Sequence, residues 1–316
     1  MKTPPPQPAS GNKLSILLSI FFQNLLPVFL AAGAGYLLAA TTPIEPKPIS
    51  RMVFYIFSPC LVFILLTENQ LDGNVMLAMV SFTFVQLLSI ALLTWLLARL
   101  ARLDKQFVVA VVLAALLPNA GNFGLSVNLF AFGEQALAQA SLFFVASAML
   151  SYTVGVYIAS LGRSDYRQAL AGLFKIPTIY AVLLALVFLQ LDWQLPQPVG
   201  RATALLADAA IPTMLVLLGV LLRRARWSGN LLPLAIANGM RLLASPLLAF
   251  FLATRFGLQG AARQAAILEA SMPTAVMATV LATEFDVEPG FLTAVVFSST
   301  LLSPLTLTPL LAYLAG

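Results

Sequence analysis

The sequence predicts an all-α membrane protein of ten transmembrane helices, built as two inverted five-helix repeats whose fourth and ninth helices are broken. Three observations lead there. Of the 316 residues, 60% are hydrophobic and only 9% charged, with a mean hydropathy of +0.94; a water-facing surface is not built from such a composition. Apolar runs of about 20 residues, enough to cross a hydrocarbon core about 30 Å thick, recur between short polar breaks. Prolines and serines repeat in one register between the two halves, and in two spans a proline falls near mid-membrane.

Residues 1–13 read as a disordered tail, rich in proline (Pro4, Pro5, Pro6, Pro8) and without the charged start, short apolar core and cleavage site of a signal peptide. The first repeat, 14–161, holds spans at Leu14–Ala40, Ile49–Leu66, Val75–Arg99, Gln106–Phe132 and Ala136–Leu161. A short cytoplasmic linker, 162–168, leads to the second repeat, 169–316. Its spans are Ala169–Leu191, Val199–Leu222, Leu231–Thr254, Ala262–Thr283 and Pro289–Leu314. Alternating the loops between two sides gathers Lys47, Arg51, Arg99, Arg102, Lys105, Arg163, Arg167, Lys175, Arg223, Arg224 and Arg226 on one of them. The other side collects Lys2, Lys13, Arg201, Arg255 and Arg263. The richer side is expected to be cytoplasmic, so both termini are expected outside.

Composition also excludes function classes. A single cysteine, Cys60, rules out an intrachain disulfide, and the absence of histidine removes the usual general base, proton relay and metal ligand. Neither a metal site nor a cofactor is expected. The net charge of +5 is spread over loops rather than clustered, so nucleic acid is not an expected partner.

An offset of about 152 to 155 residues lays Pro59 on Pro212, Pro118 on Pro273, Ser147 on Ser299 and Ser151 on Ser303. With five spans per half, the second copy enters the membrane from the opposite side, the plan of many secondary transporters. In the fourth span Pro118, Asn119, Gly121, Asn122 and Gly124 interrupt a run that is apolar at both ends. Proline withholds a backbone donor, so the helix is expected to break there, roughly 18 Å into the membrane. The ninth span repeats the device with Pro273 and Thr274 but no glycines, and a milder break is expected. Half-helices starting after each break would aim free N–H groups at a cavity and favour an anion such as a carboxylate. The competing reading is two proline kinks, with Asn119 and Asn122 hydrogen-bonding between helices.

Asp208, Arg241 and Glu269 fall inside spans, where a centred charge costs at least about 2.5 kcal/mol. All three are expected to face the protein interior at similar depth. As a functional network, Glu269 or Asp208 would bind a coupling proton or cation and Arg241 would attract the substrate anion; as a structural one, they form a static ion pair.

Motifs along nearly the whole chain resemble the auxin efflux carrier family, which includes the plant PIN carriers and bacterial relatives. They are Leu117-Pro118-Asn119 with Gly124, Ala207-Asp208-Ala209 with Gly219, Arg241-Leu242-Leu243 with Pro246, Met272-Pro273, Ala282-Thr283-Glu284-Phe285 and the stretch from Phe297 to Pro309. The resemblance implies that helices four and nine cross at Pro118 and Pro273 beside the substrate, with Asn119 as a binding residue. It further implies elevator-type alternating access and an organic anion substrate, auxin-like or a dicarboxylate. Ser126, Val62 and Glu269 depart from the pattern of the plant carriers, and the linker is far shorter than their cytoplasmic loop. A prokaryotic inner-membrane member is therefore expected.

The expected function is secondary transport, with efflux the favoured direction and Asn119, Asn122 and Thr274 lining the site. Coupling to protons or sodium and assembly into a homodimer are left open. The alternatives are a sodium-coupled bile-acid-type organic anion symporter and, from another class, a membrane-embedded enzyme. No convergent nucleophile, base and carboxylate set supports the enzyme.

Overall fold

A computed structural model of the chain describes residues 13–69, 72–160, 174, 176–223 and 230–315. The tail before residue 13, the linker 162–168, the start of the sixth span and the basic residues Lys2, Arg163, Arg167, Lys175, Arg224 and Arg226 lie outside these. The elements among the described residues are all helices, with no strand among them. Seven helical stretches are long and apolar enough to cross a membrane, which with the composition makes this a multi-pass membrane protein. They are α1 (Leu14–Thr41), α2 (Pro46–Asn69), α3 (Gly73–Leu100), α5 (Ala120–Ala159), α7 (Gln197–Leu222), α8 (Leu231–Arg255) and α11 (Pro289–Ala315). Shorter apolar helices are α4 (Lys105–Leu116), α6 (Pro177–Gln190) and α10 (Val276–Phe285), and α9 spans Gly260–Ala270.

Forty residues is too long for one crossing, and α5 is divided at Gly133. There the backbone takes φ 78°, ψ −167°, which glycine reaches without penalty, so the helix is interrupted by a kink between the predicted fourth and fifth spans. Proline shapes the helices elsewhere. Wider π-type turns occupy Phe21–Leu25, Val53–Phe57 and Met240–Ala244, and each is followed two residues later by Pro27, Pro59 or Pro246. A proline ring collides with the carbonyl four residues back and offers it no donor; widening the turn around that carbonyl relieves both problems.

The helices form two packed groups. One joins α1 to α7 and α2 to both α6 and α7. The other gathers α3, α4, α5, α8, α9, α10 and α11. In the first, Gly35 and Gly219 bring backbones into direct contact: a Cβ on Gly35 would overlap Val216, and one on Gly219 would overlap Ala32 and Tyr36. Large apolar side chains such as Leu30, Leu77, Leu92, Leu205, Leu247 and Leu305 cover the outside, as suits a lipid-facing surface.

Asp208 departs from expectation. It sits at the end of the first half of α7 and its side chain is exposed rather than turned inward with Arg241 and Glu269. Span position fixes depth, whereas helix rotation decides the side, and here α7 commits Ala207 and Ala210 to the interior.

Candidate functional site

Two interruptions meet in the middle of the molecule. α4 ends at Leu116, and the chain runs through Leu117, Pro118 and Asn119 before α5 starts in a widened turn at Ala120. α9 ends at Ala270, and helix resumes only at Val276. The second break is therefore the longer, not the milder one expected from its lack of glycines. Its backbone is extended because it has a partner: Asn119 N–H donates to Pro273 O at 2.7 Å, and Ala275 N–H donates to Leu117 O at 2.8 Å. Pro118 and Thr274 stand opposite one another in this short antiparallel pair. Each unwound segment satisfies peptide groups of the other, which a bilayer interior demands of any non-helical backbone.

The contact sorts helix ends by sign. On one side lie the C-terminal carbonyls of α4 and α9, the negative ends of their dipoles. Arg241, completely buried in the π-type turn of α8, gathers them. Its Nε donates to Met272 O at 2.8 Å, Nη1 to Ala115 O at 2.7 Å, and Nη2 to Ala270 O. Ser245 Oγ donates to Ala270 O at 2.7 Å, and Gln86 Nε2 in turn donates to Ser245 O at 2.9 Å. Thr274 joins this side too. Its hydroxyl donates to Ala114 O at 3.1 Å, and its N–H donates to Ser299 Oγ at 3.1 Å.

The structure places the expected site residues as follows from these bonds. Arg241 gives its hydrogen bonds to carbonyls and does not line the cavity described below. Thr274, fully buried and committed to Ala114, does not line that cavity either, and nor does Pro273. Glu269 is likewise fully buried and accepts from Asn128 Nδ2 at 2.9 Å rather than from Arg241. Asn128 Nδ2 also donates to Gly124 O at 3.0 Å, and Gly124 is needed there, since a Cβ would collide with the Glu269 carboxylate. The buried network is thus a set of side-chain bonds to backbone and amide, not the ion pair the sequence suggested.

On the other side the N-terminal turns of α5 and α10 open into a cavity of about 510 Å³. Pro118, Asn119, Ala120, Gly121 and Asn122 line it from one break, and Ala275, Val276 and Met277 from the other. The first intrahelical bond at the start of α5 is Gly124 N–H to Asn119 O, so the N–H groups of Ala120 to Phe123 precede it without a helical acceptor. Asn119 is 2% exposed, and its Nδ2 has no hydrogen-bond partner among the described residues. The Thr178 hydroxyl, on α6 across the cavity, has none either.

Several lining residues escaped sequence reading. Ser147 and Ser151 were visible only as part of the repeat register, yet both line the cavity. Their hydroxyls donate to Phe144 O and Ser147 O, each at 2.8 Å, leaving lone pairs for the cavity. Their spacing of four on an apolar helix was the available signal. Ser58, Tyr152 and Thr178 carried no such signal. Lys47 and Arg51, read as topology residues, also line it. Among the described residues, no group of three or more acidic or cysteine side chains is disposed to hold a metal ion.

Comparison with known proteins fits this geometry. Residues 20–169 and 161–311 match the family described as membrane transport protein. An uncharacterized transporter of Methanothermobacter thermautotrophicus is 26% identical over 291 residues, covering 90% of this chain and 95% of that protein. An uncharacterized transporter of Methanocaldococcus jannaschii is 24% identical over 268 residues, 83% of this chain and 87% of that protein. A probable auxin efflux carrier component of Oryza sativa subsp. japonica is 28% identical over 143 residues, 43% of this chain and 26% of the plant protein. With both halves matched, the chain belongs to the membrane transport protein family, the family of the auxin efflux carriers.

Proposed function

We propose that the protein is a secondary transporter that carries a small organic anion by elevator-type alternating access. The observation behind this reading is the separation of helix ends at the paired breaks. Negative ends are held by Arg241 within the protein, while positive ends, with the unpartnered Asn119 amide, face a cavity of about 510 Å³. Such a surface, rich in donors at its deep end, favours a carboxylate. The site lies between the two packed groups of helices, because α2 and α6 contribute to it from one and α5 and α10 from the other. Sliding one group past the other would carry the paired breaks and their ligand as a body.

The ten-span, inverted-repeat arrangement is supported by matching contacts: α1 packs on α7 as α6 packs on α2, and α4 meets α8 as α9 meets α3. The cavity reaches Lys47 and Arg51, on the side the charge bias assigns to the cytoplasm, so the conformation described is inward-open in this reading. The same bias puts both termini outside the cell membrane. Efflux is the direction we assign.

A ligand that binds only the native fold raises its apparent stability. Carboxylates screened against the purified protein should therefore raise its apparent Tm, and Asn119→Ala should abolish the rise while keeping the unliganded Tm. Equal shifts in both proteins would remove Asn119 from the site. One observation favours ion coupling: Glu269 Oε2 and Asn128 Oδ1 are buried without partners among the described residues, so a proton or small cation would satisfy them. Binding that is indifferent to sodium would reject the bile-acid-type symporter.

A further inference from the structure

The second half of α5 forms one wall of the cavity through Phe144, Ser147, Ala148, Ser151 and Tyr152. This wall starts at the break itself, because a Cβ on Gly121 would stand 2.8 Å from the Phe144 ring. Ser147 follows Phe144 by about 5 Å of helix rise and Ser151 by about 10 Å, on the same face. Both serines are buried, and their protons are already committed. Ser147 Oγ donates to Phe144 O and Ser151 Oγ to Ser147 O, each at 2.8 Å, and no hydrogen bond among the described residues ends on either oxygen. A hydroxyl whose proton is committed has only lone pairs left to offer, so toward the cavity each serine is an acceptor.

The second repeat shows the same arrangement filled. Ser299, which the repeat register lays on Ser147, also sends its proton three residues back, to Val296 O at 3.2 Å, and its oxygen accepts the Thr274 N–H at 3.1 Å. Thr274 follows Pro273 as Asn119 follows Pro118, so the matching donor for Ser147 would be the Asn119 N–H. That N–H is taken instead by Pro273 O at 2.7 Å. The pairing of the two breaks is therefore lopsided, and the acceptor position that the chain itself fills at Ser299 faces the cavity at Ser147.

We propose that Ser147 and Ser151 are specificity-determining residues that read a neutral hydrogen-bond donor on the substrate. The carboxylate takes the N–H groups of the first turn of α5, and an O–H or N–H roughly 5 to 10 Å further along donates to Ser147 or Ser151. This rests on the carrier reading above. The donor is uncharged, because no aspartate or glutamate lines the cavity to offset a desolvated ammonium, whereas two cations, Lys47 and Arg51, do line it. A substrate oxygen that can only accept gains nothing from this wall and leaves the serine oxygens unmatched once water is displaced.

The test is calorimetric titration of the purified full chain in neutral detergent with three matched series: butyrate, valerate and hexanoate, the same acids with a terminal hydroxyl, and the terminal methyl ethers of those hydroxy acids. The ether keeps the oxygen as an acceptor and removes only the donor proton. The best hydroxy acid is expected to bind about tenfold tighter than both its ether and its plain counterpart, the ratio that one net hydrogen bond supplies. In S147A/S151A both ratios should fall to near one. Each ratio is taken within one protein, so a general loss of binding lowers both affinities alike and cannot imitate that result. An ether bound by the wild type as tightly as its hydroxy acid overturns the inference without any variant, and so does a ratio that survives in S147A/S151A; either outcome leaves the carrier reading intact. Binding of none of the three series overturns both.

Discussion

The α1–α7 contact and the paired breaks are both tightly packed, but they are held by opposite means. At the first, Gly35 and Gly219 erase side chains so that two backbones touch, and no buried polar side chain takes part in that approach. At the second, a whole arginine is buried to serve carbonyls that a continuous helix would have satisfied unaided. The difference teaches what each region is for. Backbone contact through glycine gives a rigid, featureless joint, whereas broken helices expose dipole ends whose signs are then divided between a protein cation and an open cavity. Among the described residues, charged side chains are fully buried only beside the broken helices, at Arg241 and Glu269.

Removing the arginine should break the comparison most severely. Arg241→Met strips the carbonyls of Ala115, Ala270 and Met272 of their charged donor, and each buried acceptor left unpartnered costs about 1 to 3 kcal/mol. The outcome to measure is loss of monodisperse protein on size exclusion. If Arg241→Met retains wild-type stability, the division of helix ends is not what holds the breaks together.

At the featureless joint the expected loss is smaller. Gly219→Ala pushes a methyl group into Ala32 and Tyr36 backbone atoms, for which overpacking costs of about 1 to 3 kcal/mol apply. Apparent Tm should fall while the carboxylate-induced shift survives, because Gly219 faces α1, whereas Met214, Leu217 and Leu221 line the cavity from the same helix. A lost shift at unchanged Tm would merge the two regions that the packing separates.

The mildest change sharpens the comparison inside the site. Thr274→Val removes the bond to Ala114 O, worth about 1 kcal/mol, from the arginine side of the breaks. It should lower apparent Tm slightly and leave ligand affinity alone, the reverse of Asn119→Ala. Calorimetric titration of the two variants side by side gives the answer, and a weakened ligand in Thr274→Val would return that residue to the site.

Much of the site was legible in order but not in orientation. Pro118 and Pro273 announced the breaks because a missing N–H is a property of one residue and acts wherever the helix runs. Asn119 and Asn122 were found because polar residues beside a mid-membrane break have few other uses, and both line the cavity. Thr274 was picked by the same logic but does not line the cavity; its neighbours in sequence resemble theirs, and its bond to Ala114, 160 positions away, is what distinguishes it. Asp208 and Arg241 share a depth and differ in facing. Nothing in their spacing says that one turns outward and the other onto carbonyls from two different helices.

By itself, then, the sequence determined the class of molecule, the placement of its apolar spans and the points where two of them must break, because hydrophobicity and the chemistry of proline act locally. Only tertiary structure decided that the breaks pair, that Arg241 takes the negative helix ends, and that Ser147, Thr178 and Arg51 share a cavity with Asn119. Those outcomes depend on how each helix is rotated about its axis and which distant carbonyl it meets, and rotation is set by packing against partners far away along the chain.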